Sequence, residues 1–155
     1  MSIENDIKQY KFRSPHQKAL INLLYTHGWL RGQMSEHFRR YDITMQQYNV
    51  LRILNGQYPN GITTSDIRSR MLDKMSDASR LVDRLERLGL VEKRKNSDDR
   101  RLVAVRISEK GIELLERIQP EEEAMENEMM PLTHEEATLL SDLLDKLRGS
   151  DPTEK

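Results

Sequence analysis

The chain has 155 residues, a third of them charged, few aromatics, a formal net charge of −1 and no cysteine. One domain of that length can bury a core without staples, and the missing thiols exclude disulfide frameworks, thiolate metal sites, iron–sulfur clusters and thiol redox switches. Nothing approaches the roughly 20 apolar residues of a membrane span, and the N-terminus MSIENDIKQYKF lacks a signal-peptide run, so a cytoplasmic protein with no membrane partner is expected.

Residues 15 to 41 open on Pro15, a favoured first-turn residue. They place Leu20, Leu23, Leu24, His27, Leu30, Arg31, Met34, Phe38 and Tyr41 at three- and four-residue steps, the pattern of a long amphipathic helix. Thr44 with Gln47 forms a capping box for a second helix, whose inner side is Tyr48, Leu51, Ile53 and Leu54. NGQYPNG ends that helix with turn residues. A short third helix starts at Thr63 or Thr64 with Asp66 in its first turn, where a negative charge suits the helix dipole. The run MSDASRLVDRLERLGL then aligns Ala78, Leu81, Val82, Leu85 and Leu88 on one face and stops at Gly89.

The period then changes. LVEKRK and LVAVRI alternate around the charged turn NSDD, which predicts a two-stranded hairpin. Ser108 caps a helix through Ile112, Leu115 and Ile118 that Pro120 is expected to kink or interrupt. Thr133 and Glu136 form a capping box for a last helix striped by Leu140, Leu143, Leu144 and Leu147, and the tail GSDPTEK frays. The order predicts a mainly α fold with a small β-hairpin wing behind a helix-turn-helix.

A near-zero net charge argues against nucleic acid only until it is divided. From Ile62 to Ile107 there are twelve Lys or Arg against eight Asp or Glu, whereas from Glu113 to Glu136 there are nine Glu and one Arg. A basic middle between acidic ends suits a polyanionic partner, although acidic helices also simply solvate a surface. The second helix of a helix-turn-helix can enter the DNA major groove. Here its N-terminal half reads Lys74, Met75, Ser76, Asp77, Ser79 and Arg80, with Arg84 a turn further on. Arginine can grip guanine bidentately, and serine can bond phosphate or a base edge. A wing beside it reaches the narrow, negative minor groove, where an inserted Arg is favoured. Asp98 and Asp99 next to Arg100 and Arg101 supply a cation and a carboxylate to hold it.

The run from TTSDI through SRLVDRLERLGLVEKRKNSDDRRLVAVRISEKG resembles the winged helix-turn-helix core of the MarR (multiple antibiotic resistance regulator) family. Asp99-Arg100-Arg101 match the family's wing tip, and Ser108 and Gly111 its closing positions. ITMQQYNVLRIL is similar to the preceding helix and LTHEEATLLSDLLDKL to the last one. The resemblance implies a single domain of residues 1–155, with a DNA-binding core at 44–107 and dimerisation helices at 15–41 and 108–148. It implies a homodimeric transcription regulator, usually a repressor, on a pseudo-palindromic operator in double-stranded DNA, with recognition helices ~34 Å apart. By position, Ser79 and Arg80 would meet the major groove, Arg101 the minor groove, and Asp99 would orient that arginine. Lys74, Lys93, Arg94, Lys95 and Arg100 would attract phosphates, and Arg100 and Arg101 are separated only by their match to the family's positions.

Many family members answer to a small molecule. For an aromatic or phenolic ligand, Tyr25, Trp29, Met34, Met45 and Tyr48 lie on the appropriate helices, although residues at that spacing also build cores. The histidines at 16, 27, 37 and 134 have no metal-ligand spacing. An enzyme is not expected, because the chain has no glycine-rich phosphate loop, activated nucleophile or metal cage, and no cofactor is implied. A winged helix that binds proteins rather than an operator is the competing expectation.

Overall fold

A computed structural model describes residues 2–95 and 103–149, with Lys95 described in its backbone alone. The wing tip, including Asp98, Asp99, Arg100 and Arg101, therefore lies outside the described residues. In chain order the elements are α1 (Ile3–Asp6), α2 (Pro15–Arg39), α3 (Met45–Asn55), β1 (Ile62–Thr63) and α4 (Thr64–Arg70). They continue with α5 (Ala78–Arg87), β2 (Val91–Lys95), β3 (Val103–Ile107), α6 (Glu109–Met129) and α7 (His134–Leu147). The described fold is mainly helical with one small antiparallel sheet.

Local chemistry explains most boundaries. The Ser14 hydroxyl accepts from the Gln17 amide ahead of Pro15 at the start of α2. Reciprocal capping boxes join Thr44 with Gln47, Thr63 with Asp66, and Thr133 with Glu136. The two hydrogen bonds from Thr63 hold the Asp66 carboxyl below its ordinary range. Gly89 follows α5 with φ +73°, a left-handed conformation that favours glycine.

Three findings depart from the sequence expectations. The sheet has three strands rather than two, because β1 joins the hairpin with Ile62 opposite Val105 and Thr63 opposite Ala104. A two-residue strand is too short to show an alternation, and its partner β3 lies far along the chain. Helix α5 begins at Ala78 with Asp77 as its cap, so Lys74, Met75 and Ser76 belong to the preceding turn. Finally, α6 continues through Pro120 to Met129. Proline deletes one backbone donor and crowds the carbonyl four residues back, yet the hydrogen bonds on either side carry the helix across.

Two compact units divide between Arg117 and Ile118. The first is built on a core of Phe38, Leu51, Leu54, Ile67, Leu85, Val105 and Ile107, each at most 1% exposed. Helix α3 contributes Val50, Leu51 and Leu54, α4 contributes Ile67, and α5 contributes Ala78, Val82 and Leu85. A tight joint seats the start of α6 in this unit: the Ser108 hydroxyl donates to the Gly89 carbonyl at 2.6 Å and accepts from the Gly111 amide at 3.1 Å. In the same unit, α2 leaves Leu20, Leu24, Tyr25 and Trp29 exposed along most of its length. In the second unit, α7 buries none of its residues, and Leu139, Leu140, Leu143 and Leu147 lie open.

Candidate nucleic-acid interface

Helices α4 and α5 and the turn between them form the helix-turn-helix. Buried Ala78, Val82 and Leu85 fasten one side of α5 to the core, which turns Ser79, Arg80 and Arg84 outward. The Asp77 carboxylate accepts from the Arg80 amide at 3.1 Å and pairs with its guanidinium at 3.3 Å. One carboxylate therefore both starts the helix and steadies an arginine whose side chain remains 86% exposed.

The turn is organised by Asp73. Its carboxylate accepts from the Met75 amide at 3.0 Å and from the Ser76 hydroxyl at 2.9 Å; the Ser76 bond, and then the Met75 bond, hold it below the ordinary aspartate value. Leu72 donates its amide to the Asn49 side chain on α3 at 3.0 Å, and the Lys74 ammonium folds back onto the Ser69 carbonyl at 2.5 Å. An aspartate that closes a turn on the residues following it is a readable signal in LDKMSD, but competing helical periodicity across that run hides it.

In the wing, β2 and β3 run antiparallel in the register Val91–Ile107 through Lys95–Val103. Lys93 does not stand free: its ammonium meets Asp83 at 2.5 Å and Glu86 at 2.9 Å, both on α5. Those bonds raise the Lys93 pKa above its ordinary value and lower that of Asp83. The lysine is a brace between the wing and the helix, formed across ten residues of sequence. Glu92 accepts from Arg106 at 3.0 Å and from Arg94 at 3.2 Å, so its carboxyl is also held low, with Arg106 the larger cause. The side chain of Lys95, and Asp99, Arg100 and Arg101, are outside the described residues.

Arg84 lines a shallow groove of about 540 Å³ with Arg87, Arg39, Thr44 and Gln47, toward the C-terminal half of α5. The five ligand candidates sit in different surroundings. Tyr25 and Trp29 are each 45% exposed and Met34 is half-buried, while Tyr48 stacks on Phe38 with centroids 4.3 Å apart. Met45 lines a cleft of about 550 Å³, with His27, Arg31, Asn49, Met71 and Lys74.

Helix, turn, capped helix and antiparallel wing make this unit a winged helix-turn-helix, the architecture that presents one helix to a DNA groove. The model for the MarR family matches residues 41–102. The winged core is thus similar to that of the MarR family. The chain is 31% identical over 97 residues to the HTH-type transcriptional repressor IacR of Pseudomonas putida, covering 63% of this chain and 57% of that one. The chain spans 57% to 61% of the length of the first curated relatives it matches, which are named as transcriptional repressors. The crystal structure of a MarR transcription factor from Planctomyces limnophilus superposes with TM-score 0.67 at 28% identity, over 90% of this chain and all of that one. A mutant MarR from E. coli, complexed with operator DNA, shares the fold with TM-score 0.72 at 24% identity, over 95% and 99% of the two chains.

Proposed function

We propose that this protein is a cytoplasmic, homodimeric transcription repressor that binds a pseudo-palindromic operator sequence-specifically. The observation that carries the reading is the division of α5, with Ala78, Val82 and Leu85 buried on one side and Ser79 and the 86%-exposed Arg80 projecting on the other. In this reading Ser79 and Arg80 meet base edges, Arg101 enters the minor groove held by Asp99, and Lys74, Arg84, Arg94, Lys95 and Arg100 attract phosphates. The uncovered stripes of α2 and of α7 each contribute to dimerisation, and residues 44–107 are the DNA-binding core. No helix among the described residues is long and apolar enough to cross a membrane. An aromatic or phenolic ligand would enter at the Met45 cleft, whose volume is within the range of small-molecule sites.

The test is selection of bound fragments from random double-stranded DNA at physiological salt. An enriched two-fold symmetric sequence, bound with affinity that falls steeply as salt rises, is the expected result. Replacing Arg101 by Ala should weaken that binding and leave the dimer folded. Selection that enriches no sequence would favour a protein-interaction module instead.

A further inference from the structure

Met75 is the most exposed large apolar side chain among the described residues, at 94%, with its neighbour Leu72 next at 73%. Isolated apolar exposure needs no explanation by itself, but this one sits on a rigid turn. Asp73 fixes the Met75 amide at 3.0 Å and ties down the Ser76 hydroxyl, while Lys74 folds back onto Ser69. The flanking polar groups are thus engaged with the protein, and the methionine is the side chain the turn presents. It lies two residues before the cap of α5, so it is not at the position from which an apolar residue would staple onto the first turn of its own helix. Arg80, in the first turn of α5, adds a positive charge for attraction to DNA.

We propose that Met75 reads the C5-methyl group of a thymine in the major groove, one in each half-site. The thymine methyl is the one apolar knob that groove offers, and the unbranched, polarisable methionine adapts to such a target. The inference rests on the DNA-binding reading above, and the experiment separates the two.

An operator is first selected with the wild-type protein from random double-stranded DNA. Each thymine in it is then replaced by deoxyuridine, which removes the methyl and preserves base pairing. One thymine per half-site should stand out, its replacement weakening the wild-type protein about fourfold per half-site, as expected for one methyl taken out of water. Met75→Ala should bind the unmodified operator about that much more weakly and be indifferent to deoxyuridine there, whereas Met75→Leu should retain the discrimination. Unchanged melting of both variants would confirm that only a surface side chain was altered. Deoxyuridine without effect at every position, or an effect that persists undiminished in Met75→Ala, would overturn the assignment of Met75 and leave the operator binding standing. Failure to select any operator would overturn the underlying DNA reading itself.

Discussion

Gly111 is where the structure makes a sign-changing prediction. It lies in the first turn of α6, and replacing a helical glycine by alanine ordinarily stabilises by up to about 1 kcal/mol. Here, however, an added Cβ would lie 2.3 Å from the Leu90 carbonyl oxygen and 2.7 Å from Cγ1 of Ile107, where ordinary contact begins at 3.4 Å. Relief needs a shift of roughly 1 Å in backbone, and overpacking of that kind costs about 1–3 kcal/mol. The same Leu90 carbonyl accepts from the Ser108 amide at 3.1 Å, so moving it also weakens a bond worth about 1 kcal/mol. The clash outweighs the propensity, and Gly111→Ala should destabilise by about 1–3 kcal/mol net. At about 2–4 °C per kcal/mol for a chain of this size, the melting temperature should fall by several degrees. Gly56→Ala is the control: φ there is −65° and the new Cβ would meet only Arg52 and Ile53 carbonyls at 3.6 Å, so it should stabilise slightly. Paired thermal melts in one buffer decide it. A Gly111→Ala protein that melts at or above the wild type would refute the close-approach argument.

Other consequences follow from the ion pairs and the uncovered stripes. Lys93→Met should lower the melting temperature by an amount that stays flat between about pH 5 and pH 9. The lowered Asp83 makes its contribution present above the ordinary aspartate value of 3.8 and lost as pH falls through its folded value. The raised Lys93 makes its contribution present below 10.5 and lost as pH rises through its own folded value. A difference from wild type that drifts inside that window would count against the brace. Arg80→Ala should weaken operator binding and relax the preference at the base pair it meets, Arg84→Ala should lower the slope of log affinity against log salt by about 0.9 for each phosphate no longer neutralised, and Lys93→Met should leave that slope unchanged. Leu24→Glu and Leu143→Glu should each shift the protein toward monomer in sedimentation, and an unaltered dimer in both would remove those stripes from the interface.

Features encoded by neighbouring residues were legible in the sequence, and those requiring distant residues were not. Thr44 with Gln47, Thr63 with Asp66, and Thr133 with Glu136 are three-residue relationships, and each is formed. The hairpin was legible from its alternation, with Val105 and Ile107 turned to the core on one face. Strand β1 was not, because two residues show no period and its partner lies far along the chain. The start of α5 was misplaced because MSDAS continues the helical spacing, whereas the Asp73 bonds close a turn there instead. At the candidate site, the outward face of α5 was readable from the apolar positions opposite it. The commitment of Lys93 to Asp83 and Glu86 was not, since in KRK the three cations look equivalent.

That commitment changes how the basic middle of the chain should be weighed. Part of its positive charge is already matched within the fold, with Lys93 held by two carboxylates and Arg94 and Arg106 sharing Glu92. What ranks a cation as a DNA contact is then the cost of releasing it. The Lys93 side chain is 30% exposed and bonded twice to α5, so a phosphate would have to displace the brace that orients the wing. Arg80 is 86% exposed and gives up only a single surface pair, worth about 0–1 kcal/mol, and Asp77 remains useful as the helix cap after the arginine leaves. A basic side chain therefore positions the reading elements in one place and is available to read in the other.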